Sequence, residues 1–225
     1  MKQEQYKYLT VLICLFMTFM LAALFMFDRE VVVYGLRFTG TVLLLPVAFL
    51  IGDIVAEVYG YRIAKQLIFI NLLCMPLFAL LAELINILPS SNSWEFNVAY
   101  STVICSMFLV SLFLSVGIAM GVFINSYLLV RWKILLKGNY FWIRSITSTA
   151  IGLFISTVIG FIKFMFILPQ WEAVEFIAIS FCYKLVCMAL LSWPVALICA
   201  KLKFQKILQQ KYILILILLN HNLMI

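Results

Sequence analysis

Three ionisable side chains stand inside apolar stretches long enough to cross a bilayer. Asp53 and Glu57 lie one helical turn apart in GTVLLLPVAFLIGDIVAEVYGYR, residues 40–62, and Lys184 lies in YKLVCMALLSWP, residues 183–194. A charged group near the middle of a membrane helix costs about 2.5 to 3.5 kcal/mol on insertion scales, so each calls for a partner or a chemical role. Asp53 is either a ligand-contacting acid or half of a structural ion pair. Glu57 sits nearer the helix end and has the same choice, with Arg62 and Lys65 as local partners. Lys184 is too deep to reach the interface along its own stem. Counting at 1.5 Å per residue sets Asp53 and Lys184 about 10 Å apart in depth, on either side of the midplane. A long lysine stem or a water closes part of that gap, so the two groups are expected to face one wet pocket.

Hydroxyls gather in a further apolar run, where Ser148, Gly152, Ser156 and Gly160 repeat at intervals of four beside Ser145, Thr149 and Thr157. Small residues at that spacing let helix backbones approach closely. The same hydroxyls, Ser148, Ser156 and Thr157 among them, equally suit an aqueous cavity. Gly117 and Gly121, continued by Asn125, make a comparable stripe in the preceding run, as do Gly52, Ala56 and Gly60 beside the acids. Trp193, just before Pro194, is either packing bulk or an aromatic platform for a planar ligand.

The elements that must position these groups follow from composition. Of the 225 residues 66% are hydrophobic and 11% charged, whereas a soluble domain is about 45 to 50% apolar. The expected fold is therefore all-α: a six-transmembrane-helix bundle with short loops, one membrane domain over 1–225. Spans are expected near 8–27, 40–60, 66–88, 101–129, 141–167 and 175–200, followed over 201–225 by a basic and then apolar tail. Lys2, Lys7, Arg62, Lys65, Arg131, Lys133, Lys137, Arg144 and four lysines after residue 200 fall on one side of this layout. Only Arg29, Arg37 and Lys163 fall on the other, which places both termini in the cytoplasm. Trp94, Tyr100 and Trp171 then flank outer span ends, and Trp132, Tyr140 and Trp142 inner ones. The net charge of +7 thus reads as cytoplasmic loops rather than a nucleic-acid surface. Residues 28–39 suggest a short outer hairpin with a turn at Tyr34-Gly35. The six cysteines form no ligand spacing and read as packing residues. No phosphate loop, zinc motif or nucleophile elbow occurs, and the single histidine, His221, has no ligand set around it. No metal, cofactor or enzymatic activity is expected.

The string PVAFLIGDIVAEVYGYRIAKQ, with Pro46, Asp53, Ala56, Glu57, Val58, Tyr59, Gly60, Arg62 and Lys65 in place, resembles the signature of the queuosine precursor transporter family, also called the YhhQ or VUT family of vitamin uptake transporters. RSITSTAIGLFISTV at 144–158 is similar to the family's fifth-span motif and YKLVCMALLSWP to its sixth, with Lys184 and Pro194 at matching places. Two positions depart from the pattern: Leu153 stands where the family has a polar or acidic residue, and Ser156 where it has an Asp. The resemblance implies import of a 7-deazaguanine base, such as the 7-cyano form, across the bacterial cytoplasmic membrane. It implies a midplane site between spans two, five and six, drawing on Asp53, Glu57, Lys184, Ser148, Ser156, Thr157 and Trp193. Its partners would be a small-molecule nucleobase substrate and the lipid bilayer, with no nucleic acid and with room for a homo-oligomer. The alternative is the substrate-binding subunit of an energy-coupling-factor vitamin transporter, and behind it an intramembrane enzyme, which the absence of a paired acid, base and nucleophile disfavours.

Overall fold

The structure is a computed structural model that describes residues 7–91, 95–160, 162 and 169–222. Lys2, Trp94 and Lys163 lie outside the described residues, as do the side chains of Lys7, Trp142, Lys206 and Lys211. Helix α1 (Lys7–Phe25) leads into a hairpin of β1 (Glu30–Val33) and β2 (Leu36–Thr39). Then follow α2 (Thr41–Tyr59), α3 (Tyr61–Asn86), α4 (Asn97–Leu135), α5 (Phe141–Gly160) and α6 (Gln170–Asn222). Among the described residues six helices are long and apolar enough to cross a bilayer. The chain is an all-α, multi-pass membrane bundle.

Helix α2 is its axis. Apart from Asp53 and Glu57 it is apolar nearly all round, and 83% of its most apolar 18-residue stretch is buried, against 22% for those of α3 and α6. It lies against α1, α3, α4 and α6, while α5 runs along α4 and α6. The outward leucines of α3, Leu73, Leu77 and Leu84, make up part of the lipid-facing surface. Gly60 ends α2 at φ +94°, a conformation that only glycine adopts freely, so the chain turns at once into α3. A Cβ at Gly60 would meet nothing within 4 Å. The residue therefore serves the turn and does not extend a packing stripe from Gly52 and Ala56, as its spacing suggested.

Two spans outrun their expected limits. Helix α4 has 39 residues, about 58 Å at 1.5 Å per residue against a hydrocarbon layer of about 30 Å. Helix α6 does not stop near 200 but continues through the basic stretch to Asn222. No Gly or Pro follows Pro194 before that point, and Lys, Gln and Leu are good helix formers.

The hairpin pairs Glu30 with Thr39 and Val33 with Leu36 in antiparallel register. Its turn residues Tyr34 and Gly35 both have positive φ, at 51° and 79°, which gives the strand-matching twist of a tight hairpin. Phe38 stacks on Tyr183 of α6 at 4.9 Å between centroids and so ties the hairpin to the last span.

The α4–α5 contact is the closest in the bundle. A Cβ at Gly121 would lie 2.5 Å from the Gly152 carbonyl oxygen, and one at Gly152 would lie 2.5 Å from that of Gly121. Gly121→Ala must therefore push two backbones apart and is expected to cost about 1 to 3 kcal/mol. Gly52→Ala meets only Val122 and Phe16, at 3.7 and 3.8 Å, and is expected to be neutral or slightly stabilising. Denaturation of both variants in detergent checks the contrast, and equal losses would contradict it.

Candidate functional site, a buried polar network

Asp53 projects from the middle of α2 and is completely buried. The Asn125 amide of α4 donates to its Oδ1 at 2.5 Å. The Ser145 hydroxyl of α5 donates to its Oδ2. The Thr149 hydroxyl lies 3.1 Å from Asp53 Oδ2 and also 3.1 Å from Asn125 Oδ1. A threonine carries one hydroxyl proton, so Thr149 serves one of these acceptors at a time. Asp53 is thus held by neutral donors from two other spans. The Gly121–Gly152 contact one turn away brings α4 and α5 close enough for Asn125 and Thr149 to meet beside it.

Glu57, one turn further along α2, has different company. Its carboxylate pairs with Lys203 of α6, with Arg144 of α5 at 3.4 Å and with Lys133 of α4 at 3.4 Å. Lys133 also donates to the Glu57 carbonyl at 3.1 Å. The Arg144 guanidinium is fully buried and donates to the carbonyls of Leu129, Gly138 and Asn139 as well. Four helices meet at this one carboxylate. The local partners suggested by the sequence do not serve: Arg62 is exposed, and the Lys65 ammonium lies over the Phe69 ring at 5.7 Å. Gly60 breaks the helix between Glu57 and both of them, so the turn-by-turn pairing of one continuous helix is lost.

Lys184 is buried in α6, and its ammonium donates to Thr157 Oγ1 at 3.2 Å. Thr157 and Thr149 lie on the same helix eight residues apart, about 12 Å along its axis. Asp53 and Lys184 therefore attach to α5 about two turns apart, at Thr149 and at Thr157. Ser148 and Ser156 are buried, but their hydroxyls turn back to their own helix, onto the Ser145 carbonyl at 3.3 Å and the Leu153 carbonyl at 3.0 Å. Trp193 stands apart from the network, 69% exposed on the flank of the bundle.

The structure thus brings Asp53 together with Asn125, Ser145 and Thr149, and Glu57 together with Lys133, Arg144 and Lys203. Asn125 had a visible signal, an amide in phase with Gly117 and Gly121 in an apolar run. The three cations had none, because each also reads as an ordinary loop charge.

A six-span bundle whose most buried helix carries an acid held only by neutral donors has the architecture of a polytopic membrane transporter. A family model described as "Putative vitamin uptake transporter" matches residues 39–198, from the end of the hairpin through most of α6, and the chain belongs to that family. No curated protein and no solved structure gives a significant match.

Proposed function

We propose that the chain imports a queuosine precursor, 7-cyano-7-deazaguanine or a related 7-deazaguanine base, across the cytoplasmic membrane, with both termini cytoplasmic. The observation that carries this reading is the way Asp53 is held. Its carboxylate is buried at mid-span and satisfied by hydroxyl and amide donors, which suits an acceptor for the N–H edge of a planar base. Thr149 can turn its proton to Asn125 Oδ1 and release a lone pair of Asp53 without losing a hydrogen bond. Lys184 and Thr157, two turns along α5, would meet an acceptor at the far end of the ligand. The family description and the matched motifs support uptake.

The sequence carries no nucleotide-binding motif, so the chain acts as a facilitator, as an ion-coupled carrier or with a partner ATPase. The last of these is the energy-coupling-factor reading. Cells expressing the chain are expected to take up labelled 7-cyano-7-deazaguanine, and cells expressing Lys184→Ala to take it up at least about tenfold more slowly, the loss of one charge-assisted hydrogen bond. Wild-type rates in the variant, or no uptake by the unaltered chain, would sink the assignment. Dependence on partner ATPases would move it to the second reading.

A further inference from the structure

We infer that the hairpin end of the bundle holds a binding site for a small organic cation, an amine with a planar or apolar body. The site is separate from the polar network and rests on different observations from the proposal above. A cavity of about 510 Å³ opens between the hairpin and the start of α6. That volume lies within the usual range of small-molecule pockets, about 300 to 1,000 Å³.

Its lining is acidic. Asp28, Glu30, Glu172 and Glu175 face it, with Arg37 as the one cation among the described lining residues, and Arg37 is engaged loosely, 3.7 Å from Glu30 with both side chains more than half exposed. Ser106 of α4 donates to Asp28 at 2.5 Å and fixes that carboxylate in place. Four carboxylates beside one guanidinium leave a negative field that a cation would relieve.

The acids alone do not say which cation. Among the described residues no three Asp, Glu, His or Cys side chains converge as metal ligands would, so these carboxylates are spread around the cavity instead of being gathered on one point. A spread acidic lining suits a charged group carried on a larger body. Phe27 and Phe176 supply the apolar wall, and an aromatic face also attracts an ammonium.

An independent sign of a ligand is Thr39, which ends β2. It lines the cavity, is 3% exposed, and its Oγ1 has no hydrogen-bond partner. A buried hydroxyl left unpaired carries a desolvation penalty that a polar group on a ligand removes. Glu172 and Phe176, both in the lining, continue along α6 at intervals of four through Ser180 to Lys184. Ser180 is fully buried and its hydroxyl has no hydrogen-bond partner either. This end of the bundle lies opposite the basic cluster at Glu57, so the cavity and the cationic loops occupy opposite poles.

Tryptamine, an aromatic primary amine, is the probe. Its binding to the purified full chain in detergent is measured by calorimetry at low ionic strength, where surface charges are least screened. Saturable binding is expected, with no displacement by the neutral analogue tryptophol or by anionic indole-3-propionate. The double variant Glu172→Gln, Glu175→Gln should weaken it about five- to tenfold, the combined effect of two partly exposed charges. Both side chains are exposed, so the variant should fold, which its melting curve checks. Glu95→Gln, an exposed acid that does not line the cavity, should leave binding unchanged. The inference is overturned if tryptamine does not saturate, if tryptophol competes equally, or if the double variant binds as the unaltered chain does. Displacement by micromolar calcium with the same glutamate dependence would also overturn it, in favour of an inorganic cation.

Discussion

Asp53→Asn is expected to lower uptake by about 100-fold per molecule in the membrane, from the loss of two hydrogen bonds to a charged acceptor at about 1.5 kcal/mol each. The side chain keeps its size, so the loss would not come from packing. The network can also adjust, because the Ser145 hydroxyl can rotate to accept from the new amide and the Asn125 amide can present its oxygen. What cannot be restored is a negative acceptor at mid-span for the N–H groups of a base. Inserting a neutral amide is also cheaper than inserting an acid, so the amount of protein in the membrane should hold or rise. The decisive measurement is uptake normalised to membrane protein. A purely structural role for Asp53 would lower yield and uptake together and leave the normalised rate within about twofold of the unaltered chain, which is the outcome that removes the acid from the substrate path.

That experiment bears on a residue the sequence singles out without help. Asp53 is conspicuous because an acid in an apolar run violates the local pattern, and a violated pattern can be read from one chain. The six spans are legible for the same reason, since apolar length alone sets them. The partners of Asp53 are another matter. Ser145, Ser148, Thr149, Ser156 and Thr157 look alike in sequence, yet Ser148 and Ser156 bond their own helix while Ser145 and Thr149 reach across to α2. Which hydroxyl turns outward depends on how α5 is rotated against α4, and that rotation is set at Gly121 and Gly152.

Ser156 shows the same dependence from the opposite direction. It stands where the family pattern places an Asp, a substitution that in sequence bears on substrate choice. In the structure its Cβ lies 2.8 Å from the position a Gly121 Cβ would take, so it sits within the closest part of the α4–α5 contact. A small residue there has the packing reason that its place in the four-residue stripe of α5 already suggested, and the structure adds which helix it packs against. Glu57 is the clearest case, because helical periodicity points to Arg62 and Lys65, five and eight residues away, while Lys203 comes from 146 residues along the chain. Long-range ion pairs leave no periodic trace.

The cluster around Glu57 sets a second expectation of comparable size. Glu57→Gln should destabilise the folded chain by about 3 to 5 kcal/mol, the cost of leaving a buried charge without its counter-ion. The buried charge in question is Arg144, which has no exposed surface and would lose its carboxylate counter-ion, since the carbonyls of Leu129, Gly138 and Asn139 that it also bonds are neutral. The two lysines differ, since their side chains are 34% and 36% exposed and can withdraw to water. Lys203→Ala and Lys133→Ala should therefore cost under about 1 kcal/mol each, as partly exposed pairs do. Arg144→Lys should not stand in for Arg144, because one ammonium lacks the planar fork that reaches a carboxylate and three carbonyls at once. Denaturant midpoints of the four variants in one detergent give the order directly. If either lysine variant loses as much as Glu57→Gln, the cluster works as a surface charge network, and the buried Arg144–Glu57 pair is not what joins α2 to α5 at this end of the bundle.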